Sequence, residues 1–146
     1  MEKEHAREEG WTLIEVLVAI VILTVGLLAV GTMQISAIRG NFMSGNTSIA
    51  LTLAGEKMED LFNRNYTDAA LADTTSGNNG NLTLITGTDH EEQVSDNGVV
   101  GAGGFYRRIW NIADTATPMP TMKEIAVIVT WQNNKHRVSV SSMRRP

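Results

Sequence analysis

The chain has no cysteine among its 146 residues, so no disulfide can staple it and no thiol chemistry is open to it. It has no proline before Pro118, which leaves glycines such as Gly26 and Gly31 as the only soft points in a long N-terminal helix. A basic excess is also missing. The formal charge is −4, which removes the electrostatic footprint of a nucleic-acid binder. The three histidines, His5, His90 and His136, stand far apart. No nucleophile–base pair or metal set can be assembled around them, so neither an enzyme nor a cofactor is expected. The longest absence is of charge: from Val16 to Ile38, 23 consecutive positions are dominated by Val, Ile, Leu, Ala and Gly.

A helix needs about 20 mostly apolar residues to cross the hydrocarbon core, so this run can span a membrane. At its mouth stands Gly10-Trp11-Thr12-Leu13-Ile14-Glu15. A carboxylate at or near lipid costs a few kcal/mol, and one retained there calls for a partner. The chain offers no obvious cation nearby on the same helix face. A cleaved secretory signal would want a shorter apolar core and a small-x-small site. A plain signal anchor explains the length of the run, but neither Glu15 nor the Gly-aromatic junction.

Gly10, the aromatic Trp11, Thr12-Leu13-Ile14-Glu15 and Val16-Leu17-Val18-Ala19 together resemble the class III signal of type IV prepilins and pseudopilins. The resemblance implies that a membrane peptidase cuts after Gly10 and that Trp11 becomes the methylated N-terminus. It implies too that Glu15 pairs with the N-terminal amine of a neighbouring subunit, while Thr12, Leu13, Ile14, Val16 and Leu17 begin a filament-core helix. Residues 8–35 carry it tightly. Val25-Gly26-Leu27-Leu28-Ala29-Val30-Gly31 and Leu53-Ala54-Gly55-Glu56-Lys57-Met58-Glu59 extend it more loosely. They are similar to PilV-type minor pilins and, less closely, to I-type minor pseudopilins of type II secretion. Three features depart from the family pattern: Trp11 stands where Phe is usual, the span lacks proline, and the leader is acidic. Lys3 and Arg7 face four glutamates there, a net of −2. Acidic residues count for little in the positive-inside rule, so Lys3 and Arg7 suffice to hold the leader in the cytoplasm, with Arg39 as mild opposition.

Beyond the span, Ile35, Ile38 and Phe42, then Ile49, Leu53, Met58, Leu61 and Phe62, recur at helical spacing, while Lys57, Glu59, Asp60 and Arg64 read as pointing away. The spacing predicts one helix over 12–63, with an irregularity at Gly40–Asn46. Residues 65–104 read as connecting loop, with turn chemistry at Gly77–Asn81 and Asp96–Gly98 and a short strand at Leu82–Thr86. The acidic stretch Asp89–Asp96 reads as a solvated turn rather than a calcium loop.

Residues 105–146 read as sheet. In Phe105–Ile112, Tyr106, Arg108, Trp110 and Ile112 share a side, although Phe105 and Ile109 compete for the inward face. Pro118 and Pro120 punctuate the connection. Glu124–Trp131 alternates with Ile125, Val127, Val129 and Trp131 on one face, and Ala126 and Ile128 keep the other half apolar. Gln132–Lys135 is a hairpin turn, and His136–Met143 returns with Val138 and Val140 inward. Trp110 and Trp131 read as core anchors, and the Arg107-Arg108 and Arg144-Arg145 pairs as solvated or stacked on aromatics.

The expected fold is α+β: a long N-terminal helix whose distal half packs on a small antiparallel sheet. The chain divides into a leader (1–10), a membrane and filament-core helix (11–38), an amphipathic continuation (39–64), a variable loop region (65–104) and the sheet (105–146). The expected function, by resemblance, is that of a minor type IV pilin in the bacterial inner membrane, with its C-terminal domain periplasmic. Its partners would be the prepilin peptidase/methyltransferase and other major and minor pilins. The alternatives are a type II secretion pseudopilin and a membrane-tethered adhesin.

Overall fold

The structure is a computed structural model that describes residues 5–115 and 122–146, with side chains over 13–114 and 122–146. Pro118 and Pro120 lie outside the described residues. The element order is one helix, α1 (His5–Asn63), two single 3-10 turns (Ala69–Leu71 and Ser76–Asn78), then β1 (His90–Val94), β2 (Tyr106–Thr115), β3 (Met122–Trp131) and β4 (His136–Arg144). The sheet is an antiparallel meander in the order β1-β2-β3-β4. The chain divides into two compact units, Met1–Met43 and Ser44–Pro146. The expected α+β class holds: in the second unit, the helix from Ser44 onward packs on the sheet.

One helix is expected and found, and it runs on as α-helix through Gly40–Asn46, where an irregularity is expected. Gly40 and Gly45 cost helix propensity, but Asn46 is held on the inward face, where its Oδ1 accepts from the Tyr106 hydroxyl at 3.2 Å. Burial, and then the Asp96 charge, push the Tyr106 pKa up, so the phenol stays a donor at neutral pH. From Ala50 the inward positions Ala50, Leu53, Ala54, Met58 and Leu61 meet the sheet. Phe62, read as part of that stripe, is 38% exposed. The helix end is closed from β4: Arg144 donates to the Leu61 and Arg64 carbonyls, adding a cation where the last carbonyls lack donor partners.

The helix-facing side of the sheet is Tyr106, Trp110 and Ile112 of β2, Ile125, Val127, Val129 and Trp131 of β3, and Val138 and Val140 of β4. This settles the face of β2. Phe105 is half exposed, and Ile109 is fully buried on the opposite side, beside Ile128. Trp110 and Trp131 are core anchors, 6% and 3% exposed.

Two charged readings are corrected by burial. Lys57 does not point away from the core: it is 7% exposed, with its Nζ 3.1 Å from Glu92 Oε1 and 3.9 Å from the Trp110 ring centroid. Arg108 is not solvated either. Its Nε and Nη2 reach the same Glu92 oxygen at 2.8 and 2.7 Å, and its Nη1 donates to the Leu53 carbonyl at 3.3 Å. The acidic stretch that supplies Glu92 is β1 rather than a turn, so the sheet begins inside the segment read as loop. Gly104 closes the loop after β1, where a Cβ would collide with the Val94 backbone.

Leu82–Thr86 forms turns and bends rather than the expected strand. Its carbonyls bond to a side chain instead of a neighbouring strand: Asn111 Nδ2 donates to Leu82 and Leu84 at 2.8 and 2.9 Å. Leu82 then caps Ala113 and Ala126 on the face away from the helix. Asp89 pins the preceding loop, accepting from Thr74 N (2.8 Å), Thr74 Oγ1 (3.1 Å), Asn78 Nδ2 (3.0 Å) and Ile112 N (2.8 Å). Burial by itself would raise the Asp89 pKa, but the donors from Ile112, Asn78 and Thr74 together outweigh it and hold the pKa below the ordinary aspartate value. A depressed folded pKa stabilises above the unfolded value, near 3.9, and that contribution is lost as pH falls through the folded value. Asp89→Ala therefore lowers stability by about 2 kcal/mol at pH 7, the scale of hydrogen bonds to a charged group. In thermal unfolding followed by circular dichroism, its gap from the wild type should narrow as the pH drops below about 4.

Candidate functional site

The sequence-derived site lies on the first turns of α1. Gly10, Trp11 and Thr12 fall within the helix, their side chains outside the described ones. The described side chains begin at Leu13, followed by Ile14, Glu15, Val16 and Leu17, all exposed. Successive residues step about 100° around a helix, so these five encircle it rather than forming a stripe. Every large apolar side chain from Leu13 to Ile38 is more than half exposed. The uncharged run from Val16 to Ile38 is about 34 Å long at about 1.5 Å per residue, against a hydrocarbon core of about 30 Å.

The three hydroxyls within the run are settled internally. Thr24 donates to the Ile20 carbonyl at 2.6 Å, Thr32 to Ala29 at 2.8 Å and Ser36 to Thr32 at 3.0 Å. Returning each hydroxyl to its own helix is what an apolar surrounding demands. A helix that is apolar on all sides, with no polar face, belongs in lipid or among other helices. Among the described residues one helix, Leu13–Asn63, is long and apolar enough to cross a membrane by length and composition.

Glu15 is the exception on this surface. It is exposed, and among the described residues it has no ion-pair or hydrogen-bond partner. Among the described residues, therefore, no cation is brought to it. Chemically, Glu15 can offer its carboxylate to a cation outside the described residues.

Among the described residues no group of three or more His, Cys, Asp or Glu side chains could hold a metal ion. The acidic stretch near Asp89 is occupied internally: Asp89 by loop donors, Glu91 by Arg107 and Glu92 by Arg108 and Lys57. A second feature, read from sequence only as a hairpin turn, is a cavity beside Gln132–Lys135 lined by Gln93, Phe105, Arg107, Thr130, Asn133 and Asn134. Its one signal in the sequence is the Gln132-Asn133-Asn134 run, whose amides crowd a turn.

Residues 6–31 match the family model described as the prokaryotic N-terminal methylation motif, a span that includes Gly10, Trp11 and Glu15. No curated protein and no solved structure matches the chain significantly. The motif, set at the head of a membrane-length helix that precedes an α+β unit, supports a type IV prepilin-like protein of the pilin or pseudopilin kind.

Proposed function

We propose that the chain is a minor type IV pilin: a structural subunit that enters the inner membrane with its leader cytoplasmic and its C-terminal unit periplasmic. The peptidase cleaves after Gly10, Trp11 becomes the N-methylated first residue, and the subunit is drawn into a filament with major and minor pilins. There the apolar surface of residues 13–38 exchanges lipid for neighbouring helices, and Glu15 meets the N-terminal ammonium of another subunit. Packing and paired polar groups, rather than hydrophobicity, select the contact, because lipid tails are as apolar as the helix. A buried carboxylate is tolerable once a cation offsets its desolvation.

The observation that carries this reading is the motif match over residues 6–31 on a helix whose one carboxylate within the apolar surface has no partner among the described residues. Intact mass spectrometry of the protein extracted from membranes tests it. The expected mass lacks Met1–Gly10 and carries one added methyl group. A full-length, unmethylated mass in assembled material would overturn the reading.

A further inference from the structure

The sheet face turned away from α1 carries a cavity of about 190 Å³ beside the β3–β4 turn. Gln93, Arg107 and Thr130 stand side by side across β1, β2 and β3. They share the outer face because their neighbours Tyr106, Val129 and Trp131 belong to the core beneath the helix. The turn that forms the far wall is held in an uncommon way. Gln132, Asn133 and Asn134 all have left-handed backbones, with φ of 51°, 58° and 64°. They sit in a four-residue loop between the paired Trp131 and His136, and glutamine lacks the enrichment at positive φ that asparagine has. Strain of this kind persists where the surroundings over-determine it, and it collects at binding sites.

The wall groups are positioned but not used up. The Thr130 hydroxyl bonds to Asn134 Oδ1 at 2.7 Å, and the Gly103 N–H donates to Gln93 Oε1 at 2.9 Å. Each amide is thereby oriented with its NH₂ left over. Phe105 is 50% exposed at the edge. Arg107 adds little net charge, because it is paired with Glu91 and its Nη1 donates to the Ile85 carbonyl at 3.1 Å. A half-exposed aromatic ring set against Tyr106 in a T-shape, two oriented amides and a neutralised cation match a pyranose ring: its C–H face lies on the aromatic ring and its hydroxyls exchange bonds with amides.

We propose that this cavity binds one neutral hexose unit of a glycan, stacked on Phe105 and hydrogen-bonded by Gln93, Asn133 and Asn134. The helix from Ser44 onward covers the opposite face of the sheet, so the cavity does not face it. The inference stands on the C-terminal unit alone and does not depend on assembly.

Saturation-transfer NMR on the full-length chain in lipid nanodiscs, with empty discs subtracted, tests it using glucose, galactose, mannose and N-acetylglucosamine. Transfer to the ring protons of at least one sugar is expected. It should fall at least about fivefold in Phe105→Leu, which keeps the apolar bulk and removes the ring face. Asn133→Gly should lose binding while keeping or raising thermal stability, since glycine relieves the left-handed strain and Asn133 holds no other wall group in place. Ser141→Ala, on the same face but off the cavity, should bind like the wild type. Lys135 and Arg137 flank the turn, so inorganic phosphate is the competitor. No transfer to any of the four sugars, undiminished transfer in Phe105→Leu, or displacement of sugar by phosphate would each overturn the proposal.

Discussion

Glu15→Ala leaves the chain in the membrane and keeps it out of filaments. The two halves of this result have opposite physical signs. Removing a carboxylate from the edge of an apolar span makes residence in lipid easier, so membrane levels should hold or rise. Removing it from a helix bundle strands the neighbour's ammonium among apolar side chains, and breaking a buried pair in this way costs about 3–5 kcal/mol. At about 1.4 kcal/mol per tenfold, incorporation should fall by about a hundredfold or more. Glu15→Gln separates charge from shape. It keeps the size and a hydrogen-bonding end, so it too should fail if the pairing is ionic. Quantitative immunoblots of sheared surface fibres against the membrane fraction read both halves at once. Wild-type incorporation of either variant would sink the assembly role of Glu15, and a fall in both fractions would point to misfolding instead. A tethered adhesin acting as a lone molecule would be indifferent to the change.

Much of the fold was legible because hydropathy and period carry it. The three-and-four spacing of Ala50, Ala54, Met58 and Leu61 predicted the inward stripe of the helix, and the alternation in β3 and β4 predicted their core faces. β1 was invisible for a physical reason. His90-Glu91-Glu92-Gln93-Val94 holds one apolar residue in five, and Glu92 turns inward only because Arg108 and Lys57 wait across the fold. No local pattern reports a partner 16 or 35 residues away. Leu82–Thr86 misled in the opposite sense: its alternation suits a strand, but Asn111 from β2 claims its carbonyls. At the N-terminus the motif was legible as a pattern, and the partner of Glu15 was not, because the described chain supplies none.

Glu92→Gln should destabilise the C-terminal unit by about 3–5 kcal/mol, the cost of leaving buried charge unpaired. One carboxylate oxygen serves two cations here, each less than a tenth exposed: Arg108 through two nitrogens and Lys57 through Nζ. The amide keeps the shape but cannot balance either charge. Lys57 would retain only the Trp110 face and a partly exposed Asp60 at 3.6 Å, and Arg108 only the Leu53 carbonyl. Small domains are stable by about 5–15 kcal/mol, so the loss is a large share of the total. Urea unfolding of the full-length protein, followed by tryptophan fluorescence, should show a lower midpoint at unchanged slope. The triple change Lys57→Met, Glu92→Leu, Arg108→Met gives the decisive comparison. Replacing a whole buried ionic cluster by apolar groups is often neutral or stabilising, so the triple variant should recover most of what Glu92→Gln loses. If Glu92→Gln shifts stability by less than about 1 kcal/mol, in the range of exposed pairs, the cluster is solvated and does not lock helix to sheet.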